Sequence, residues 1–398
     1  MASSIPYGRQ HIVEADVQAV IDVLNSEWLT QGPAIERFER DVAAFVGAQH
    51  GVAFSSATAA LHVACRALGL GAGDVLWTTP NTFVASANCG LYCGAEVDFV
   101  DIDPGTLNMS VQALADKLVK AERSGRLPKV VVPVHFSGEP CDMEAIQVLA
   151  QRYGFFVIED ASHAIGARYR GTSIGACRYS DLTVFSFHPV KLITTGEGGM
   201  VLTNRPELAD RVKLLRSHGI TRDPALMKGA SDGPWYYQQI DLGYNYRMTD
   251  IQAILGVSQL QRLPDFLQRR HELANRYDGA LEGLPIIRPA RDPANFSALH
   301  LYVIRIDPTR TARTRREVFE DLRLAGIGVN VHYIPVHLQP YYRAMGFKLG
   351  DFPEAERYYQ EAISLPLFYG LSHYDQDRVV QVLAAALEPR HAPEGEGA

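Results

Sequence analysis

Cysteine is scarce in this chain: five among 398 residues, at Cys65, Cys89, Cys93, Cys141 and Cys177. An odd, scattered set in a chain of this length excludes a disulfide scaffold and points to reduced thiols in a cytoplasm. Cys89 and Cys93 stand in one apolar stretch; buried small side chains are the expected reading there, a metal pair the sharper one. No apolar run approaches the ~18–20 residues of a membrane span. The opening MASSIPYGRQHIVEAD has no basic segment leading into an apolar one, so no secretory leader and no membrane partner are expected. Positive charge is not in excess. The 38 Lys and Arg against 45 Asp and Glu leave a net −7, which excludes a nucleic-acid binder held by phosphate neutralisation. A dinucleotide-binding turn is also missing. The nearest run, GLGAGD (69–74), follows a helical stretch and precedes a strand, the wrong order, and lacks a third glycine.

What the chain does have is alternation. Short apolar runs at 51–54, 75–78, 97–103, 130–136, 155–160, 182–187 and 199–204 read as buried strands. Helical spacing is found at 13–24, 35–46, 57–68, 112–122, 142–152 and 206–217. This predicts an α/β fold, a mainly parallel sheet sandwiched by helices. From about 250 the character changes. A long helix from Thr249 to about Tyr277, kinked at Pro264, precedes a strand at 299–307 and helices near 312–325 and 353–363. The expected domains are 1–255, a large unit including the N-terminal segment, and 256–390, a smaller α+β unit. The polar, Pro/Gly-rich tail, 391–398, is expected to fray.

Ligands of open α/β sheets bind at the carboxyl ends of the strands. Three polar clusters follow apolar runs. In FSSATAALH (54–62) a strand enters a helix whose first N–H groups, near Ala57 and Thr58, lack intrahelical partners and suit a phosphate. In FFVIEDASHA (155–164) Asp160 ends an apolar strand, where a carboxylate is costly without a partner, and His163 is within reach. In FSFHPVKLITTGEGGM (185–200) Lys191 follows Ser186 in a loop braced by Pro189 and three glycines; a lysine presented into a cleft has a lowered pKa and forms a Schiff base with a carbonyl. Taken alone, each has an ordinary reading as a helix cap, a turn aspartate and a surface lysine. Together they are the equipment of pyridoxal phosphate: an anion cup, an anionic partner for the ring nitrogen, and an amine for the aldehyde.

The chain resembles fold-type-I pyridoxal-phosphate enzymes, and among them the DegT/StrS-type nucleotide-sugar aminotransferases. The resemblance rests on LTQGP (29–33), SSATAALH (55–62), PNTFVASANC (80–89), IEDASHA (158–164), SFHPVK (186–191), GEGGM (196–200), DLGYNYRMTDIQAILG (241–256), VHYIPVH (331–337) and SLP (364–366). IPYGRQ and LNSEWLTQGP are similar to the branch that makes UDP-4-amino-4,6-dideoxy-N-acetyl-β-L-altrosamine for pseudaminic acid. The resemblance implies pyridoxal 5'-phosphate held covalently at Lys191, with Asp160 at its ring nitrogen and His163 near its ring hydroxyl. Phe83 would stack on the ring, and Ala57, Thr58 and Ser186 would contact the phosphate. Asn245 is implied to reach the neighbouring subunit's site, hence a homodimer with shared active sites. Tyr7, Glu27, Trp28, Leu29, Thr30, Val331, His332, Tyr333 and Ile334 match positions lining the sugar-nucleotide pocket, with Ala57, Ser186 and Asn245 touching substrate too. L-Glutamate is the implied amino donor. His332 and His337 read as a packed loop, since a metal pair would lack a third ligand nearby. Sugar dehydratases of this fold carry His where Lys191 stands, so that branch is disfavoured.

Overall fold

The computed structural model describes residues 4–388; the expected frayed tail lies outside them. A seven-stranded sheet forms the centre. Its strands are β1 (His50–Phe54), β2 (Val75–Thr78), β3 (Glu96–Phe99), β4 (Val130–Val132), β5 (Phe156–Asp160), β6 (Leu182–Ser186) and β7 (Gly199–Thr203), in spatial order β1-β7-β6-β5-β4-β2-β3. β7 runs antiparallel to both its neighbours, and the remaining pairings, β6 to β5, β5 to β4, β4 to β2 and β2 to β3, are parallel. β4 through β7 are almost wholly buried because helices cover both faces, and that is why they read as unbroken apolar runs.

The helices of this unit are α1 (Glu14–Leu24), α2 (Pro33–Val46), α3 (Ala57–Ala67), α4 (Ala85–Tyr92), α5 (Val111–Ser124), α6 (Met143–Tyr153) and α7 (Pro206–Arg216). α2 turns Ile35, Phe38, Val42 and Val46 inward and leaves Phe45 part-exposed, against the expectation of an inward Phe45. α1 buries its acid instead of its apolar stripe. Asp16 is fully buried between Ser258, Gln259 and Arg262, while Val17, Ile21 and Leu24 face outward. Two expected strands are shorter than their apolar runs. The chain leaves the sheet after Phe99 and after Val132, where Phe136–Gly138 makes a 3-10 turn with Ser137 at φ 61°. The long helix is two, α8 (Asp250–Gln261) and α9 (Leu263–Ala280), with Pro264 in the first turn of the second, where its missing N–H costs nothing.

The smaller unit is a three-stranded antiparallel sheet, β8 (Ile286–Ile287), β9 (Tyr302–Ile306) and β10 (Ala362–Leu365), covered by Arg315–Leu324 and His373–Leu387. Its core includes Tyr277, Tyr302, Ile304, Val318, Ile363 and Leu383. Ile5 joins that core, bridged to Ile327, so the N-terminal segment lies against the smaller unit. No helix among the described residues is long and apolar enough to cross a membrane.

Candidate active site

Strand register brings the three sequence clusters together. Gly199, the first residue of β7, pairs with Phe54 on one side and Ser186 on the other. Asp160 pairs with Val184 on the same strand as Ser186. The carboxyl ends of β1, β5 and β6 therefore open onto one place. Gly199 is required there. A Cβ on it would lie 2.6 Å from the Ala57 nitrogen and 2.6 Å from the Ser56 carbonyl carbon, so only glycine lets β7 approach the start of α3. Ser56 caps that helix, its Oγ accepting from the Ala59 N–H at 3.2 Å. The N–H groups of Ala57 and Thr58 lie in the first turn, outside the intrahelical ladder, and both residues line the cavity.

The cavity holds about 630 Å³. It collects Tyr7, Ala57, Thr58, Phe83, Asp160, His163, Ser186, Lys191, Val331, His332 and Tyr333, eleven of the expected residues. Asp160 is buried and held on three sides: Ser86 Oγ donates to Oδ2 at 2.6 Å, and Ser162 donates to Oδ1 through its hydroxyl at 2.6 Å and its N–H at 3.1 Å. Thr82 backs Ser86 at 2.7 Å. The Lys191 loop closes on itself through Phe187 N–H to Gly198 O at 2.9 Å and Thr195 N–H to Phe187 O at 3.0 Å. Burial pulls the Lys191 amine from 10.5 down to about 8, against the upward pull of the Asp160 carboxylate.

Three histidines surround this pair and stay neutral. Burial, then the positive charge of Lys191, holds His163 well below its ordinary range. Its Nδ1 accepts the Ser137 N–H at 3.2 Å, so Nε2 keeps the proton and donates it to Tyr333 Oη at 3.1 Å. Burial and Lys191 take His332 down to about 4, with its Nδ1 2.8 Å from Ser364 Oγ. His300 packs its ring 4.4 Å from that of His163 and lines the cavity, and its buried Nδ1 has no partner among the described residues.

Six expected residues lie outside this cavity. Glu27, Trp28, Leu29 and Thr30 form an exposed segment fixed to the start of α8 by the Asp250 N–H to Leu29 O bond at 2.9 Å. Ile334 points outward next to Tyr333, and Asn245 is exposed on a segment bridged to Ser217. His337 belongs to a packed loop, its Nε2 2.9 Å from Glu356, and the described residues hold no group of three or more side chains fit for a metal. Sequence reasoning missed Ser86, Ser162, His188, Glu197, His300 and Asn330. Ser162 had a local signal, a hydroxyl two residues after a strand-end aspartate, the pattern of a side-chain turn. His300 and Asn330 had none, since only the tertiary fold carries them here.

An amine of lowered pKa, a carboxylate held by three donors, a helix start and an unpartnered polar nitrogen fit pyridoxal phosphate, with room left for a second molecule. The model of the DegT/DnrJ/EryC1/StrS aminotransferase family matches residues 10–384. The chain is 42% identical over 382 residues to the spore coat polysaccharide biosynthesis protein SpsC of Bacillus subtilis, covering 95% of this chain and 96% of that one. Among solved structures it is similar to Helicobacter pylori PseC, an aminotransferase involved in pseudaminic acid biosynthesis, with a TM-score of 0.88, 31% identity, and 97% and 99% of the two chains covered. It is also similar to Spr1654 of Streptococcus pneumoniae in its PLP form, with a TM-score of 0.86, 30% identity, and 96% and 98% covered. With its fold-type-I architecture and its lysine and aspartate in one cavity, the chain belongs to the DegT/DnrJ/EryC1/StrS aminotransferase family.

Proposed function

We propose that this pyridoxal-phosphate aminotransferase moves an amino group from L-glutamate to C4 of a nucleotide-linked 4-keto-6-deoxy sugar, UDP-linked, giving a 4-amino sugar for surface glycans of the pseudaminic-acid type. The observation that carries the reading is the Lys191 amine, drawn down to about 8 and sharing one cavity with Asp160 and the start of α3. The similarity to PseC and to SpsC supports a sugar acceptor in a glycan pathway.

Pyridoxal phosphate, when bound, supplies an electron sink that stabilises charge on a carbon next to nitrogen. The chain's residues do the rest. The Ala57 and Thr58 N–H groups and the Ser186 hydroxyl hold a phosphate. Asp160, kept in place by Ser86 and Ser162, would present a carboxylate oxygen to the ring nitrogen. Phe83, 58% exposed and with its ring 6.3 Å from that of Tyr333, would pack against the cofactor ring. His163, which lines the same cavity, would contact the ring hydroxyl. Lys191 Nζ takes a proton from the donor's α-carbon and later returns one to C4 of the sugar, and a pKa of about 8 suits both directions. Tyr7, Val331, His332 and Tyr333 line the acceptor's side of the cavity. The enzyme works as a homodimer in a reducing compartment, each subunit lending Asn245 to its partner's site.

The test is incubation of the loaded enzyme with L-glutamate and a panel of UDP-, dTDP- and GDP-linked 4-keto sugars, with products read by mass and NMR. The expected result is a UDP-linked 4-amino sugar, and no turnover or cofactor absorbance change in Lys191→Ala. Reaction with dTDP- or GDP-linked sugars alone overturns the UDP assignment and leaves the aminotransferase. No half-reaction with glutamate overturns catalysis itself.

A further inference from the structure

Next to the Lys191 loop lies a second, much smaller cavity of about 10 Å³, room for one water-sized species. Arg270 of α9 lines it together with Arg9, Lys191, Thr194 and Gln259, and Lys191 is the one residue it shares with the larger cavity. Arg270 is only 4% exposed. Its Nη1 donates to three backbone carbonyls, those of Leu299 at 3.1 Å, His300 at 3.1 Å and Leu367 at 3.0 Å. These bonds tie α9 to the chain entering β9 and to the chain leaving β10. All of them start from one nitrogen. Nε and Nη2 have no hydrogen-bond acceptor among the described residues.

No carboxylate answers this charge. Three other arginines on or beside α9 each have an acid: Arg262 pairs with Asp16, Arg269 with Glu272 and Arg276 with Asp377. Those three are half-buried, whereas Arg270, the buried one, forms no ion pair among the described residues. The cavity wall does not supply one either. It carries three cationic side chains, Arg9, Lys191 and Arg270, and no aspartate or glutamate. Burial, with no acid to oppose it, draws the Arg270 guanidinium from 12.5 down to about 10, so it keeps its proton at neutral pH. A buried charge is costly unless it is paired, and a cationic wall around a space of this size fits a small anion.

We propose that this cavity is a binding site for a monovalent halide, chloride in the cell, held by the Nε and Nη2 hydrogens of Arg270 and by the positive field of Arg9 and Lys191. The cavity is too small for an amino acid or a phosphate group, which separates it from the 630 Å³ space on the other side of Lys191. The ion is the missing counter-charge of Arg270. It stabilises the folded chain where α9 meets the Lys191 loop, because it binds that arrangement and not the unfolded one.

The experiment soaks crystals of the loaded enzyme in bromide and reads anomalous diffraction, and follows the melting temperature in solution as chloride replaces gluconate at constant ionic strength. The expected results are an anomalous peak within hydrogen-bond reach of Arg270 Nε and Nη2, and a melting temperature that rises with chloride and saturates. Arg270→Gln should lose the peak and need at least about tenfold more chloride for half the effect. Arg269→Ala, a neighbour outside the cavity, should keep both. If Arg270→Gln does not fold, the parent's peak decides alone. Bromide confined to the surface, a water without anomalous signal at Arg270, or a melting temperature indifferent to the exchange would each overturn the proposal. So would displacement of bromide by glutarate, a dicarboxylate with no amine to transfer, since Arg270 would then serve a substrate carboxylate. Neither readout needs turnover, so failure here leaves the aminotransferase reading intact.

Discussion

At the scale of single residues, the site turns on one proton. An ordinary lysine at neutral pH is almost wholly charged and cannot attack an aldehyde. Lys191 is different because the cavity strips its water, and the one carboxylate that opposes the shift, Asp160, does so only in part. Free amine therefore falls about tenfold for each pH unit below the pKa of about 8 and is saturated above it. The rate at which apoenzyme captures pyridoxal phosphate should rise with pH up to about 8 and then level off, as followed by the visible absorbance on mixing. Asp160→Asn removes the group that raises the pKa, so the break should move to lower pH. A rate still climbing at pH 10 would place the amine at its ordinary value. Asp160 was legible in the sequence because it ends an apolar run, where a charge demands a reason, and Lys191 because it follows a strand end by a few residues in a loop braced by Pro189 and three glycines. Ser86, which holds Asp160 at 2.6 Å, was not legible. It sits among small residues of α4, and its partner is fixed only when that helix packs behind β5.

At the scale of elements, the position of α3 relative to the sheet decides where a phosphate is held. β7 runs against its neighbours and enters the sheet at the point where β1 turns into α3. Gly199→Ala would set a methyl group against Ala57 and Ser56 backbone, which has no flexible end to yield. The expected cost is about 1–3 kcal/mol of stability, seen as a lower melting temperature, together with weaker cofactor binding as the helix start is pushed away. Gly71→Ala, at a position with nothing within 4 Å, should leave both unchanged. If Gly199→Ala melts and binds as the parent does, the close approach is not what places the helix. The strands and most helices were readable because burial on both sides writes them as apolar runs. The elements that escaped were those with little pattern of their own: α4, made of small residues with hardly an apolar stripe, and β10, four residues long and recruited by pairing with β9. His373–Leu387, with Val379 and Leu383 facing the core, carried a helical spacing and went unread.

At the scale of the whole molecule, the cavity belongs to more than one unit. The large sheet supplies Asp160 and the Lys191 loop, while Asn330 and His332 come from a segment bridged to β10, with Asn330 and Ser364 bonded in both directions at 2.8 and 3.3 Å. That partnership spans most of the chain, and no local signal could announce it. Meanwhile large apolar side chains stand in solvent: Trp28 at 52%, Trp235 at 69% and Leu242 at 68%, with the outward stripe of α1. Asn245 is likewise exposed, and lies outside its own chain's cavity. The homodimer proposed above, with exchanged asparagines, would cover such surfaces and makes a prediction that single variants cannot. Lys191→Ala and Asn245→Ala protomers, each inactive or nearly so alone, should regain activity when unfolded or dissociated and reassembled together. A mixed dimer pairs an intact lysine with the other chain's intact asparagine at one of its two sites, while both defects collect in the other. With random reassembly half the dimers are mixed, so recovery should approach about a quarter of the parent's turnover. If Asn245 instead served its own subunit, every site in the mixture would carry one defect and no activity would return.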